Sequence, residues 1–215
     1  MQIDFYVSHD IPFQQLSSNN SDNSDYASLR RRTESYAYSY SIGARFGFTF
    51  PSGMGIKSGL NFSSINRKFS YDTSDAPMGM DSLQTSLNGS TNKYTFIDIP
   101  LIFSYEMSGY GPFYYTINAG AMINMTFAQK GNFFDENNNI VNFSDNIQNR
   151  YRAYEMDAGT SLFASFGFHY FWNDLIDFII EPNIRIAVAP ITLDDYSLNE
   201  KYSTFGLITG FRYKF

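Results

Sequence analysis

Phe211-Arg212-Tyr213-Lys214-Phe215 ends the sequence with aromatics at every second position and bases between them. Successive side chains of a strand point to opposite faces, so this stretch has one aromatic face and one cationic face. The fold turns on whether the rest of the chain repeats that division.

Seven further segments do. Gln2–Ser8 sets Ile3, Phe5 and Val7 on one face. About Tyr36–Phe50, Tyr38, Tyr40, Ile42, Ala44, Phe46, Phe48 and Phe50 oppose Ser39, Ser41, Gly43, Arg45, Gly47 and Thr49. About Gly55–Tyr71, Ile56, Leu60 and Phe62 oppose Lys57, Gly59 and Asn61. About Lys93–Glu106, Ile97, Ile99, Leu101, Phe103 and Tyr105 oppose Asp98, Pro100, Ser104 and Glu106. The fifth, about Pro112–Lys130, sets Phe113, Tyr115, Ile117, Ala119, Ala121, Ile123, Met125 and Phe127 against Tyr114, Thr116, Asn118, Gly120, Asn124 and Thr126. The sixth, about Tyr154–Phe171, is the least regular, with Leu162, Ala164, Phe166, Phe168 and Tyr170 on its outer face. The seventh, about Leu175–Val188, sets Ile176, Phe178, Ile180, Ile184 and Ile186 against Asp177, Glu181, Asn183 and Arg185. With the terminal strand, about Tyr202–Phe215, the pattern predicts eight strands of period two.

The connections sort by parity. Pro51–Met54, Met107–Gly111 and Trp172–Asp174 are short and carry Gly, Pro, Asn and Asp, which suit tight turns. About His9–Ser35, Asp72–Asn92, Gly131–Arg152 and Thr192–Lys201 are long and polar. Short and long connections alternate strictly, as in membrane β-barrels with short periplasmic turns and long extracellular loops. The Ser/Asn/Asp run Ser17–Asp25 reads as a flexible stretch. Asp25–Ser35, with Arg30-Arg31-Arg32, is expected to form a short amphipathic helix above the membrane.

Composition agrees. Aromatics make up 19% of 215 residues (22 Phe, 17 Tyr, 1 Trp), yet the mean hydropathy is −0.29. No apolar run of about 18 residues exists, which excludes a membrane helix. Many aromatics in a polar average fit a barrel whose lumen and loops dilute a lipid-facing wall. Without cysteine there is neither a disulfide framework nor thiolate chemistry, and a net charge of −6 argues against nucleic acid. No signal peptide precedes Gln2, so a barrel that must be exported implies residues missing upstream of Met1. The reading is an all-β, eight-stranded antiparallel up-and-down barrel in the outer membrane, residues 1–215 forming one domain. A soluble lipocalin-like barrel is the structural rival, with its apolar face turned inward and Arg45, Lys57, Glu181 and Arg185 outside.

Within the strands the charges fall opposite the aliphatics. Asp4, Arg45, Lys57, Asp98, Glu106, Asp177, Glu181, Arg185, Arg212 and Lys214 are therefore expected in the lumen. An eight-stranded barrel is just wide enough to fill with side chains, so they should form a salt-bridged, polar plug. An ion or proton pathway is the functional alternative. Phe46, Phe48, Phe50, Phe113, Tyr115, Phe168, Tyr170, Trp172, Phe211, Tyr213 and Phe215, with Tyr110, gather at the short-turn end, where a periplasmic girdle belongs.

Signs of catalysis are sparse. His9 and Asp10 follow the first strand and Asp194 and Asp195 precede the last, so closure could gather them at the outer rim as a water-activating hydrolase set. His169 reads as a lumen or interface residue. Asp135-Glu136 with Asn137, Asn138 and Asn139 lacks a dedicated calcium spacing and reads as a solvated acidic loop. No phosphate loop, metal spacing or nucleophile elbow is present, and no cofactor is expected.

Tyr94-Thr95-Phe96-Ile97-Asp98-Ile99-Pro100-Leu101-Ile102, Phe113-Tyr114-Tyr115-Thr116-Ile117-Asn118-Ala119-Gly120, Gly59–Asn66 and Gly206–Phe215 resemble the PorT-like outer-membrane β-barrel family of Bacteroidota. The resemblance spans about Tyr36 to the end. It implies a barrel with no shared catalytic residues, some relatives being accessory parts of secretion or assembly complexes. The expected role is non-enzymatic: a structural or accessory subunit in contact with outer-membrane lipid and lipopolysaccharide. Its long loops or wall would bind partner proteins. A rim hydrolase and a small pore are the alternatives.

Overall fold

The computed structural model describes residues 1–18, 24–71, 88–135, 139–145, 158–192 and 198–215. Eight long strands carry the architecture: β1 (Gln2–Ser18), β3 (Ser39–Thr49), β4 (Met54–Phe69), β5 (Thr91–Ser108), β6 (Phe113–Lys130), β9 (Ala158–Phe171), β10 (Ile176–Ala187) and β11 (Leu198–Lys214). Each pairs antiparallel with its sequence neighbours, and β1 pairs with β11, which closes the barrel. A short β2 (Glu34–Tyr36) continues the sheet on the outer end of β4, and β7 (Asn132–Phe134) with β8 (Ile140–Asn142) makes a small hairpin beside the outer mouth. Among the described residues one helix, α1 (Ser24–Thr33), lies over that mouth.

Burial along the strands decides which face is inside. Leu60, Phe103 and Phe46 are each 61% exposed, whereas Asp4, Asp98, Glu181 and Arg212 are 0% exposed. This inside-out distribution is what lipid demands of a wall, and it reverses the lipocalin-like arrangement. The chain is an outer-membrane-type barrel.

Three tight turns lie at one end. At the first, Phe50 N–H donates to Met54 O at 2.7 Å, with Gly53 at φ 84°, a left-handed conformation that favours glycine. At the third, Asn173 Oδ1 accepts the N–H groups of Leu175 and Ile176 at 2.9 and 2.8 Å. Both termini are at this end, where Phe215 N–H donates to Met1 O at 3.0 Å.

The first strand is longer than its sequence suggests. β1 runs to Ser18, not Ser8, and pairs with β11 from Gln2↔Lys214 to Ser18↔Leu198. His9 to Ser18 looks like a loop because it holds Pro12 and many polar residues, yet Ile11 and Phe13 still face out while Leu16 faces in. The last strand correspondingly starts at Leu198. The third, fourth, seventh and eighth strands end within a few residues of their expected limits. The second is interrupted at Ala37 and Tyr38, which separate β2 from β3. In the sixth, β9 begins at Ala158, and residues 154–157 lie outside the described set, as does most of the Ser17–Asp25 run.

Gly210 faces the closing seam at close quarters: a Cβ built there would stand 2.1 Å from Phe5 O and 2.8 Å from Tyr6 Cα. Gly210→Val should destabilise the barrel by roughly 1–3 kcal/mol or more, because neither obstacle is a flexible side chain. Refolding into detergent, followed by electrophoresis without heating, should show little of the compact form. Thr209→Val, at a half-exposed neighbour, should refold like the parent.

Candidate functional site

The period-two pattern turns every sequence-selected charge inward, and the barrel's small radius then brings them together. Asp4 on β1 and Arg212 on β11 are register partners. Arg212 Nε and Nη2 donate to Asp4 Oδ1 and Oδ2 at 2.7 and 3.1 Å. Arg45 Nε and Lys57 Nζ reach the same carboxylate at 3.9 and 3.8 Å. Arg45 forks onto Glu181 at 3.0 and 3.1 Å, and Ser165 Oγ donates to Glu181 at 2.7 Å. Lys214 Nζ is 2.7 Å from Asp177, whose other contact is the Tyr114 hydroxyl at 2.5 Å. Arg212 Nη1 donates to that same hydroxyl at 3.0 Å and stands 3.7 Å from Glu106.

Four carboxylates (Asp4, Glu106, Asp177, Glu181) thus meet four cations (Arg45, Lys57, Arg212, Lys214). Matching the signs is what makes so much charge tolerable away from water. Asp98 and Arg185 stand apart, paired at 3.0 Å nearer the outer end. Asn61 and Asn124 each donate to Asp98 at 2.7 Å, and Ser63 donates to it as well.

The interior is not uniformly polar. Tyr6, Ile102, Met122, Phe163 and Ile208 form a buried apolar cluster within the lumen. Side chains of this cluster are 6% exposed or less, as are Asp4, Arg45, Lys57, Asp177, Glu181 and Arg212, while Glu106 and Lys214 are partly exposed toward the short-turn end. On the outer side of the cluster lies a cavity of about 250 Å³. Its walls include Phe96, Ile191 and Tyr202, and its polar lining includes Asp98, Arg185 and Ser161.

The outer end has a core of its own. Tyr26 and Ala27 from α1 pack with Ile65, Tyr94, Phe96, Phe133, Phe143, Leu198 and Tyr202. Below the helix, Arg30 is fully buried and binds Glu34 at 2.5 Å and Glu200 at 3.2 Å. Gln14 donates to both carboxylates at 2.9 and 2.5 Å, and Tyr202 donates to Glu200. Arg67 donates to Gln14 Oε1 at 2.8 Å and to Glu34 O at 2.7 Å, and the Arg30 guanidinium lies 4.3 Å over the Phe133 ring. Burial raises the Glu34 carboxyl above its ordinary range, and nearby Glu200 adds to this against the pull of Arg30. The helix expected over about Asp25–Ser35 is present as α1, and its inner face drives one arginine into a folded cap.

Of the four candidate catalytic residues, the two among the described residues, His9 and Asp10, face opposite ways. Asp10 points inward and accepts Ser8 and Ser41 at 2.6 and 2.8 Å, whereas the His9 ring is exposed and meets the Tyr38 hydroxyl at 2.6 Å. Neighbours in a strand face opposite ways, so the pair required for water activation is divided by the wall. Asp194 and Asp195 lie outside the described residues. His169 is buried, with its Nε2 2.9 Å from Thr116 Oγ1. Asp135 is buried and accepts the Asn139 N–H at 2.7 Å, while Glu136, Asn137 and Asn138 of the expected acidic loop lie outside the described residues. Among the described residues no three His, Asp or Glu side chains gather as a metal site.

The burial of Arg30, Glu34 and Glu200 and the apolar lumen cluster escape a reading by sequence, whereas Tyr114 falls on the inner face of β6 as the alternation expects. Ile102 is hidden between Leu101 and Phe103, where a continuous apolar run masks the alternation. The selected aromatics Phe46, Phe48, Phe50, Phe113, Phe168, Tyr170, Trp172, Phe211 and Phe215 are exposed at the short-turn end; Tyr115 and Tyr213 are half-buried there.

No family model matches the sequence, and no curated protein matches it. Among solved structures, the chain is similar to Neisserial surface protein A (13% identity, 98% of this chain and 97% of that one, TM-score 0.47). It is also similar to the attachment invasion locus protein Ail of Yersinia pestis, solved with the heparin analogue sucrose octasulfate (12% identity, 99% of each chain, TM-score 0.40).

Removing one member of the lower network should cost far more than the network contributes as a whole. Asp4→Asn leaves Arg212, Arg45 and Lys57 facing one another without their shared carboxylate, a loss of roughly 3–5 kcal/mol. Asp4→Asn/Arg212→Gln should be destabilised by clearly less than the sum of its two single changes. Urea unfolding in lipid vesicles measures both, and additive losses would show that the pair is not coupled.

Proposed function

We propose that this chain is a non-enzymatic outer-membrane barrel, residues 1–215 acting as one unit, that presents a rigid outer cap to partner proteins as an accessory or structural subunit. One observation carries the reading. The outer end has a separate apolar core and a buried ion-pair cluster around Arg30, while the lumen is filled. A simple anchor needs neither feature, whereas a scaffold that must hold a fixed surface outside the membrane needs both.

The ten lumen charges serve in this reading as a structural plug, and the exposed aromatics at the short-turn end as a periplasmic girdle in contact with lipid. The resemblance of Tyr94–Ile102, Phe113–Gly120 and Gly206–Phe215 to PorT-like barrels of Bacteroidota supports a place in a secretion, assembly or uptake complex. The division of His9 from Asp10 weakens the hydrolase alternative, and the filled lumen weakens the pore.

A photo-crosslinking residue at exposed Ser28 on α1 should yield discrete heteromeric products in cells, while one at Tyr110 in a periplasmic turn should not. Arg30→Ala exposes Glu34 and Glu200 to an uncompensated site, loosens the cap and should erase the Ser28 products while the barrel still folds. Absence of products from Ser28 and from other exposed cap positions would end the accessory reading. In planar bilayers the purified protein should show no unitary conductance; steady channels would favour the pore.

A further inference from the structure

Three lysines converge on the outside of the wall near its outer end. Lys68 on β4, Lys93 on β5 and Lys130 on β6 are all exposed. Lys93 and Lys130 are direct cross-strand partners, while Lys68↔Thr91 and Asn66↔Lys93 set Lys68 on the adjacent diagonal. Residues on the same face at such positions are within side-chain reach of each other. Like charges directly opposite one another weaken a sheet, and among the described residues none of the three has an acidic partner. The ten lumen charges are matched by neighbours of opposite sign; this cluster is not.

Its height is informative. On β5, Tyr105, Phe103, Leu101, Ile99 and Ile97 follow the outer face, and Lys93 is exposed again beyond the register shift at Thr95/Phe96. At ~3.3 Å rise per residue and a tilt of about 40°, the climb from Tyr105 to Lys93 is ~30 Å, the thickness of a hydrocarbon core. The lysines therefore stand at the headgroup level of the leaflet on the long-loop side. Just below them the wall is apolar: the Phe62 and Phe127 rings lie 6.3 Å apart, and Phe127 is 60% exposed.

We infer that Lys68, Lys93 and Lys130 form a docking surface for the phosphate of an outer-leaflet lipid headgroup, with the acyl chains of that lipid lying along Phe62, Ile97 and Phe127. Phosphate supplies the anion that the opposed lysines lack, and a lipid delivers it at the right depth with apolar chains directed down the exposed wall. A soluble anion would gain nothing from the aromatic surface beneath. The inference rests on the barrel spanning the membrane with its cap outward, and it assigns one patch of the wall a specific lipid contact.

The test uses the full chain in maltoside detergent, with bis-phosphorylated lipid A as probe and the same lipid stripped of its phosphates as control. Native mass spectrometry should show retention of the phosphorylated form and little of the stripped one. Lys68→Gln/Lys93→Gln/Lys130→Gln should weaken retention at least about tenfold, and the matching triple Arg variant should restore it. Equal retention of both lipids, or no loss in the Gln variant, would overturn the inference. Displacement by inorganic phosphate as readily as by lipid would assign the site to a free anion, and displacement by an acidic peptide alone would assign it to a protein; either result overturns it. Flotation of parent and variant with neutral vesicles separates the underlying reading: a parent that fails to float overturns both, and a variant that floats but loses the phosphorylated lipid isolates the lysines as the cause.

Discussion

Asp4 and Arg212 face each other where the first strand meets the last, and the remaining interior is arranged around their burial. Closing eight strands leaves a lumen that side chains alone can fill. Any charge placed there must find its opposite within the same narrow layer. Arg45 and Lys57 share the Asp4 carboxylate, Arg45 passes to Glu181, and Arg212 passes through the Tyr114 hydroxyl toward Asp177 and Lys214. Such a network adds less to stability than an apolar filling of equal volume would. What it fixes is register: a slip of one residue between β1 and β11 would turn Arg212 toward lipid and leave Asp4 unpaired inside.

The same closure governs the outer end. β1 and β11 stay paired as far as Ser18↔Leu198, whereas β10 stops at Ala187. Among the described residues the rim is tall at the seam and again at β5 and β6, and low along β10, which adjoins β11. α1 follows the tall side and sets Arg30 between Glu34 from β2 and Glu200 from β11. The cavity beside Asp98 and Arg185 lies toward the low side, lined by Ala158 to Ser161 and by Ala187. Among the described residues, the cap and the cavity thus sit beside strands of different height.

How much of this was legible follows from the range of each interaction. The outer face is set by lipid, which acts on every strand alike, so Phe5, Ile42, Leu60, Leu101, Ile117, Phe168, Ile180 and Phe211 announce themselves through period two. Charges opposite them are equally visible because few residues hide an Asp or Arg. Two things are not. Where both faces are apolar, as around Ile102 and Phe163, alternation vanishes and the lumen cluster is lost in the wall. Where pairing persists beyond the membrane, as along Ile11 to Ser18, lipid no longer imposes a pattern and the strand resembles a loop. The cap is the extreme case: Arg30, Glu34, Gln14 and Glu200 are far apart in sequence, and only the closed seam brings them together.

These constraints also locate the freedom left for function. The lumen is committed to matching charge and volume, and most of the wall to excluding water, so neither can vary much without cost. The outer cap and the few wall positions that break the apolar rule are where the sequence departs from what a barrel requires. Lys68, Lys93 and Lys130 are such a departure, since a wall built for stability alone would not oppose two lysines across a strand pair. Arg30 is another, a buried cation held above the membrane where exposure to water was available. Both features spend stability on surfaces at the outer end. That is where a barrel with a filled lumen meets anything other than lipid chains.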